Sequence, residues 1–207
     1  MTNADRSNES DIAVYIGLGS NIGDREANLR EAIERIKALG LEIKSESSLY
    51  ETEPVGFRDQ PWFLNLVIET TIVDELTSEQ GPVLGDPEST ATIQGEALLS
   101  ELLKIEDEMG RERTIPGGPR VIDIDLLLFG DKIIAHSKDD EEWPFIDRTD
   151  VFVPHPRMHL RRFVLEPLCE IAPGLVHPVL RTTCREMLAS LDDDSLVRVY
   201  RQRSPSR

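Results

Sequence analysis

Residues 122 to 129 read Ile-Asp-Ile-Asp-Leu-Leu-Leu-Phe, a run too apolar to lie outside a core yet interrupted twice by aspartate. Its β-branched and apolar residues predict a strand. Side chains of a strand alternate with a period of two, so Asp123 and Asp125 share one face. Burying two unpaired carboxylates is costly, and a cation or a guanidinium must therefore accompany them. Arg111, Arg113 and Arg120 precede the pair in a short loop rich in Gly and Pro. Hard oxygen donors arranged in this way suit Mg²⁺ held jointly with substrate phosphates. The segment thus points to phosphoryl-transfer chemistry, with Arg120 just upstream to meet phosphate charge.

A length of 207 residues suffices for one domain with a real core. The net charge of −16 argues against a broad nucleic-acid or anionic-membrane surface. It also repels any nucleoside triphosphate, so local cations must overcome the overall field. They cluster in the loop from Arg111 to Arg120 and in His155-Pro156-Arg157-Met158-His159-Leu160-Arg161-Arg162. Cys169 and Cys184 lack metal-like spacing and read as reduced packing residues. No apolar run reaches membrane-spanning length, and the polar N-terminus lacks the regions of a signal peptide. A cytoplasmic location is the expectation.

Along the chain, residues 1–10 read as a disordered polar lead, 11–200 as a single domain and 201–207 as a tail. Ile12 to Gly19 predicts a strand ending in a turn-rich Gly19-Ser20-Asn21. Leu29, Ala32, Ile33, Ile36 and Leu39 repeat at helical spacing, with Gly40 as the stop. Leu41 to Tyr50 predicts a second strand, 52–61 a loop, and Trp62 to Val73 a third strand. Residues 74–94 read as a solvent-exposed insertion rich in Ser, Thr, Gly, Pro and acidic side chains. A helix follows, with Leu98, Leu102, Ile105 and Met109 on one stripe and Gly110 as its stop. After the aspartate strand, Gly130-Asp131 is expected to turn the chain into a partner strand over 132–135, and 136–150 reads as a second acidic insertion. A short strand at 151–153, helical pieces around 158–171 and 182–191, and a strand at 196–200 complete the chain. The core order of strand, helix, strand, strand, helix, strand predicts an α+β fold with a ferredoxin-like βαββαβ core and extra C-terminal elements. Its antiparallel sheet is expected to carry helices on one face and to leave the other face open for ligands.

Gly118-Pro119-Arg120-x-Ile122-Asp123-Ile124-Asp125-Leu126-Leu127 resembles the signature of the 6-hydroxymethyl-7,8-dihydropterin pyrophosphokinase family. Supporting matches occur in the same order: Gly17 to Asn21, Asp59 to Asn65, Val153 to Arg157, and Phe163 to Leu168 running into Glu170 to Pro173. The resemblance covers about Val14 to Leu191 outside the two insertions. It implies transfer of a pyrophosphoryl group from ATP to a pterin alcohol in folate synthesis, by a stand-alone enzyme expected to be a monomer. Asp123 and Asp125 would hold two Mg²⁺ ions bridging the ATP phosphates, with one of the pair near the attacking hydroxyl. Arg111 and Arg120 would stabilise charge developing on the transferred group and on AMP. Glu106, Arg113, His155 and Arg161 match nucleotide-side positions.

On the pterin side, the resemblance implies a ring sandwiched by Phe63 and Phe163. Its polar edge would meet Asn65 and backbone groups near Thr52, Pro54 and Val55. Taken alone, both phenylalanines are ordinary core residues; their place in the motif marks them out. Two departures stand out. Ile115-Pro116-Gly117 replaces the family's basic and aromatic pair before Gly118, in a lid-like loop one residue shorter, and Phe63 stands where tyrosine is common. Two other readings fit paired aspartates or a ferredoxin-like sheet. A nucleotidyltransferase palm would release pyrophosphate, and a small-molecule regulatory module would bind its ligand without Mg²⁺.

Overall fold

The computed structural model describes residues 12–72, 87–112, 116–135 and 151–200. The expected lead, the tail, the 136–150 insertion, most of the 74–94 insertion and Arg113 lie outside the described residues. The first core strand is β1 (Ile12–Ser20), followed by helix α1 (Arg25–Ala38). Asp24 caps α1 by accepting from the Ala27 N–H, and Gly40 ends the turn with a φ of 87°. The expected second strand divides into β2 (Glu42–Glu46) and β3 (Tyr50–Thr52). Strand β4 (Phe63–Ile72) is long enough to pair with both of them, as well as with β1.

Helix α2 (Pro87–Glu108) begins earlier than the composition suggested, so residues 87–94 are helical rather than loop. Strand β5 (Asp123–Phe129) follows. The short β6 (Ile134–Ala135) pairs with β7 (Val151–Val153) as a separate ribbon, not with β5 as a hairpin partner. A 3-10 turn (Met158–Leu160), helices α3 (Arg162–Ile171) and α4 (Cys184–Ala189), and strand β8 (Val197–Val199) close the chain. The main sheet runs β5-β1-β4-β3-β8, with β2 also on β4, and its pairs are antiparallel.

Alternation along β1 and β4 divides two cores. Val14, Ile16, Leu18, Leu64, Leu66 and Ile68 face α1 and α2, while Tyr15 and Val67 face α3 and α4. The second face is therefore not free, as the sequence suggested: Val164, Leu165, Leu168 and Met187 cover its far end. A register shift between Tyr15 and Ile16 leaves Leu127 as an extra residue on β5. That bulge turns both Leu127 and Leu128 toward α3. Among the described residues, only the end of this face nearest Ser20, Phe63 and Asp123 stays open, and the site lies there.

Candidate active site

The register builds the floor. Gly19 lies between Asn65 on β4 and Asp123 on β5, and Gly17 between Val67 and Asp125. A Cβ at Gly19 would stand 2.5 Å from Asn65 Oδ1, so any larger residue there would push the Asn65 side chain aside. A recess of about 20 Å³ opens above both glycines, bordered by Asp123, Asp125 and Phe163. Beside it runs a cleft of about 770 Å³. Of the expected site residues, Thr52, Val55, Phe63, Asn65, Arg111, Arg120, Asp123, Arg161 and Phe163 line this cleft.

Asp123 is gripped from two sides. Arg111 Nη1 reaches its Oδ1 at 2.7 Å and Arg120 Nη1 its Oδ2 at 2.8 Å. Burial favours the protonated form, but Arg120 and Arg111 overcome it and hold the carboxyl below its ordinary range. Asp125 is held more loosely, with Arg161 Nη1 at 3.6 Å and His155 Nε2 at 3.8 Å. Burial, reinforced by Arg161 and Arg157 and opposed by Asp125, lowers the His155 pKa and favours the neutral imidazole. Guanidinium groups also lie over the two expected stacking rings, Arg120 at 5.4 Å from the Phe63 centroid and Arg161 at 5.5 Å from that of Phe163.

Three expected contacts, Pro54, Glu106 and His155, border neither the cleft nor the recess. Pro54 is buried and does not border the cleft. Glu106 is 1% exposed, accepts from the Ile124 N–H at 2.6 Å and pairs closely with Arg111. Burial pushes its carboxyl up to about 7 against the pull of Arg111. It satisfies the outer edge of β5 and aims Arg111 at Asp123, rather than facing a nucleotide itself.

Sequence reasoning assigned no role to Asn21 and Gln60, although both sit within matched motifs. Asn21 Oδ1 accepts from the Arg120 N–H at 2.7 Å, and its Nδ2 donates to Gln60 Oε1 and Pro61 O, each at 3.0 Å. Gln60 in turn donates to Gly117 O at 2.8 Å and Phe57 O at 2.6 Å. The pair fastens the loop before β4 to the loop before β5, so that Arg120 and Phe63 face one cleft. Turn-forming residues beside each motif were the available signal.

Asp123 and Asp125 offer hard oxygen donors of the kind Mg²⁺ takes, one or two carboxylates with the remaining ligands from phosphates and water. Among the described residues, no group of three or more His, Cys, Asp or Glu side chains is placed to hold a metal alone. Both Asp123 oxygens are paired with guanidinium groups, so Asp125, with partners no closer than 3.6 Å, is the freer donor of the two for a cation whose other ligands come from phosphate and water.

Fold and cleft define a class: an α+β domain with an arginine-lined cleft across the end of one antiparallel sheet. The profile of the 7,8-dihydro-6-hydroxymethylpterin-pyrophosphokinase family matches residues 15–80 and 88–173. A 2-amino-4-hydroxy-6-hydroxymethyldihydropteridine pyrophosphokinase of Aquifex aeolicus is 35% identical over 84% of this chain and 88% of its own. The Folic acid synthesis protein fol1 of Pneumocystis carinii is 38% identical, but the chain spans only 18% of its length. A crystal structure described as HPPK-DHPS in complex with substrates shares the fold, with a TM-score of 0.56 at 17% identity, covering 86% of this chain and 43% of that one. The chain belongs to the 7,8-dihydro-6-hydroxymethylpterin-pyrophosphokinase family.

Proposed function

We propose that this chain transfers a pyrophosphoryl group from ATP to the hydroxymethyl oxygen of 6-hydroxymethyl-7,8-dihydropterin, releasing AMP, in folate synthesis. The observation that carries the reading is the convergence of Asp123, Asp125, Arg111, Arg120 and Arg161 with Phe63, Phe163 and Asn65 at one open sheet end. The sheet order, with β5 and β4 flanking β1 and β3 outside β4, supports a ferredoxin-like core with added C-terminal elements.

A flat heterocycle enters between Phe63 and Phe163, and its polar edge meets Asn65, which Thr52 Oγ1 holds by a hydrogen bond of 2.6 Å. The pterin oxygen attacks the β-phosphorus, the bond from that phosphorus to the AMP oxygen breaks, and the hydroxyl proton leaves. Arg111 and Arg120, already pointed inward by Asp123, stabilise charge gathering on the transferred group and on AMP. Asp123 and Asp125 would hold Mg²⁺, which when bound neutralises phosphate charge and aligns the phosphates.

The test is product identity after incubation with ATP, Mg²⁺ and the pterin. AMP with the pterin diphosphate is the expected outcome. ADP would indicate an ordinary kinase, and pyrophosphate a nucleotidyltransferase. Ligand binding without Mg²⁺ and without turnover would indicate a regulatory module.

A further inference from the structure

The basic segment from His155 to Arg162 is only partly used by the site described above, and the structure separates its members. His155 and Arg161 face Asp125. His159 turns away, its ring 6.1 Å from that of His177. Arg162 is tied to Asp193 and Glu166. Arg157 remains. It precedes the 3-10 turn, is exposed, and borders the cleft beside Leu160 and Arg161.

Among the described residues, every other guanidinium bordering the cleft has a carboxylate: Glu106 and Asp123 for Arg111, Asp123 for Arg120, Asp125 for Arg161. Arg157 has none among the described residues, and its backbone N–H contact to His155 Nδ1 at 3.2 Å leaves the guanidinium uncommitted. An unpaired guanidinium beside a second one, on the wall of a cleft in an acidic protein, is balanced by an incoming anion.

We propose that Arg157 binds the nucleotide's phosphate chain beyond its first phosphate, and so makes the cleft prefer triphosphate over monophosphate. The inference rests on the functional reading above. The pterin hydroxymethyl must meet the β-phosphorus near Phe163, and Arg157 stands on the wall that carries Phe163 and Arg161, so it faces the far phosphates rather than the nucleoside.

Equilibrium binding to the full chain tests this, using a non-hydrolysable ATP analogue with Mg²⁺, ADP, AMP and the pterin as separate probes. Arg157→Gln is expected to weaken the triphosphate about tenfold, the scale of one charge-assisted hydrogen bond at a partly exposed site. AMP and pterin affinity should change less than about twofold, and Arg157→Lys should recover part of the loss by keeping the charge. Unchanged triphosphate affinity in Arg157→Gln, or equal weakening of AMP and triphosphate, would overturn the proposal. Wild-type chain that binds the triphosphate analogue but forms no AMP removes the functional reading alone.

Discussion

Gly19 shows how little room the site leaves at the scale of single residues. A methyl group there would meet Asn65 Oδ1, so Gly19→Ala is expected to displace Asn65 from Thr52 and lower pterin affinity about tenfold. Calorimetric titration with the pterin checks this, and unchanged affinity would mean Asn65 does not meet the ring. Asp125 meets its partners only at 3.6 and 3.8 Å, so its side chain contributes little to holding the fold. Asp125→Ala should cut turnover by at least 10²–10³ while circular dichroism and melting temperature stay as in the wild type. Near-normal turnover would remove the metal-ligand argument. Phe163→Ala should weaken pterin binding by about tenfold or more and ATP binding much less. Equal loss of both would assign Phe163 to packing. The aspartate pair and the arginine-bearing loop could be read from residue types and a period of two. The burial of Glu106 could not, because a carboxylate at a helix end looks the same whether it meets solvent or a strand edge.

Among the elements, β3 and β8 decide whether the sheet can hold the ring slot steady. Glu51 on β3 accepts from Arg198 on β8 at 2.6 Å and from Arg25 on α1 at 3.1 Å, and Arg198 lies over Trp62, next to Phe63. The hydrogen bond from Arg198, followed by that from Arg25, lowers the Glu51 pKa despite the opposing effect of burial. A carboxyl depressed in the folded state contributes stability above its ordinary value of 4.5 and loses it as pH falls through the lower folded value. Glu51→Gln is therefore expected to flatten the decline of melting temperature in acid; an unaltered slope would assign the decline to other carboxylates. Helix α1, the C-terminal part of α2 and strands β1, β4 and β5 were legible because long apolar periods leave little choice. The break between β2 and β3 and the partner of β6 were not, since elements of so few residues take their pairing from whichever strand lies beside them.

For the molecule as a whole, one sheet serves two cores, so neither helical layer can leave without exposing the other's support. Leu165 on α3 is fully buried, and Leu165→Ala should cost about 2–5 kcal/mol while preserving a single unfolding transition in denaturant. An early separate step would show that α3 and α4 unfold independently. Among the described residues, no helix is long and apolar enough to cross a membrane. By itself, the amino-acid sequence determined the α+β composition, the strand bearing two carboxylates on one face, and the arginines beside it, because period and residue chemistry are local properties. Tertiary structure alone decided that α3 and α4 cover the far end of the second sheet face, that Asn21 and Gln60 tie two loops together, and that Gly17 and Gly19 leave the floor clear. These depend on which residues become neighbours across tens of positions, and only the register of paired strands and the packing of helices on them settles that.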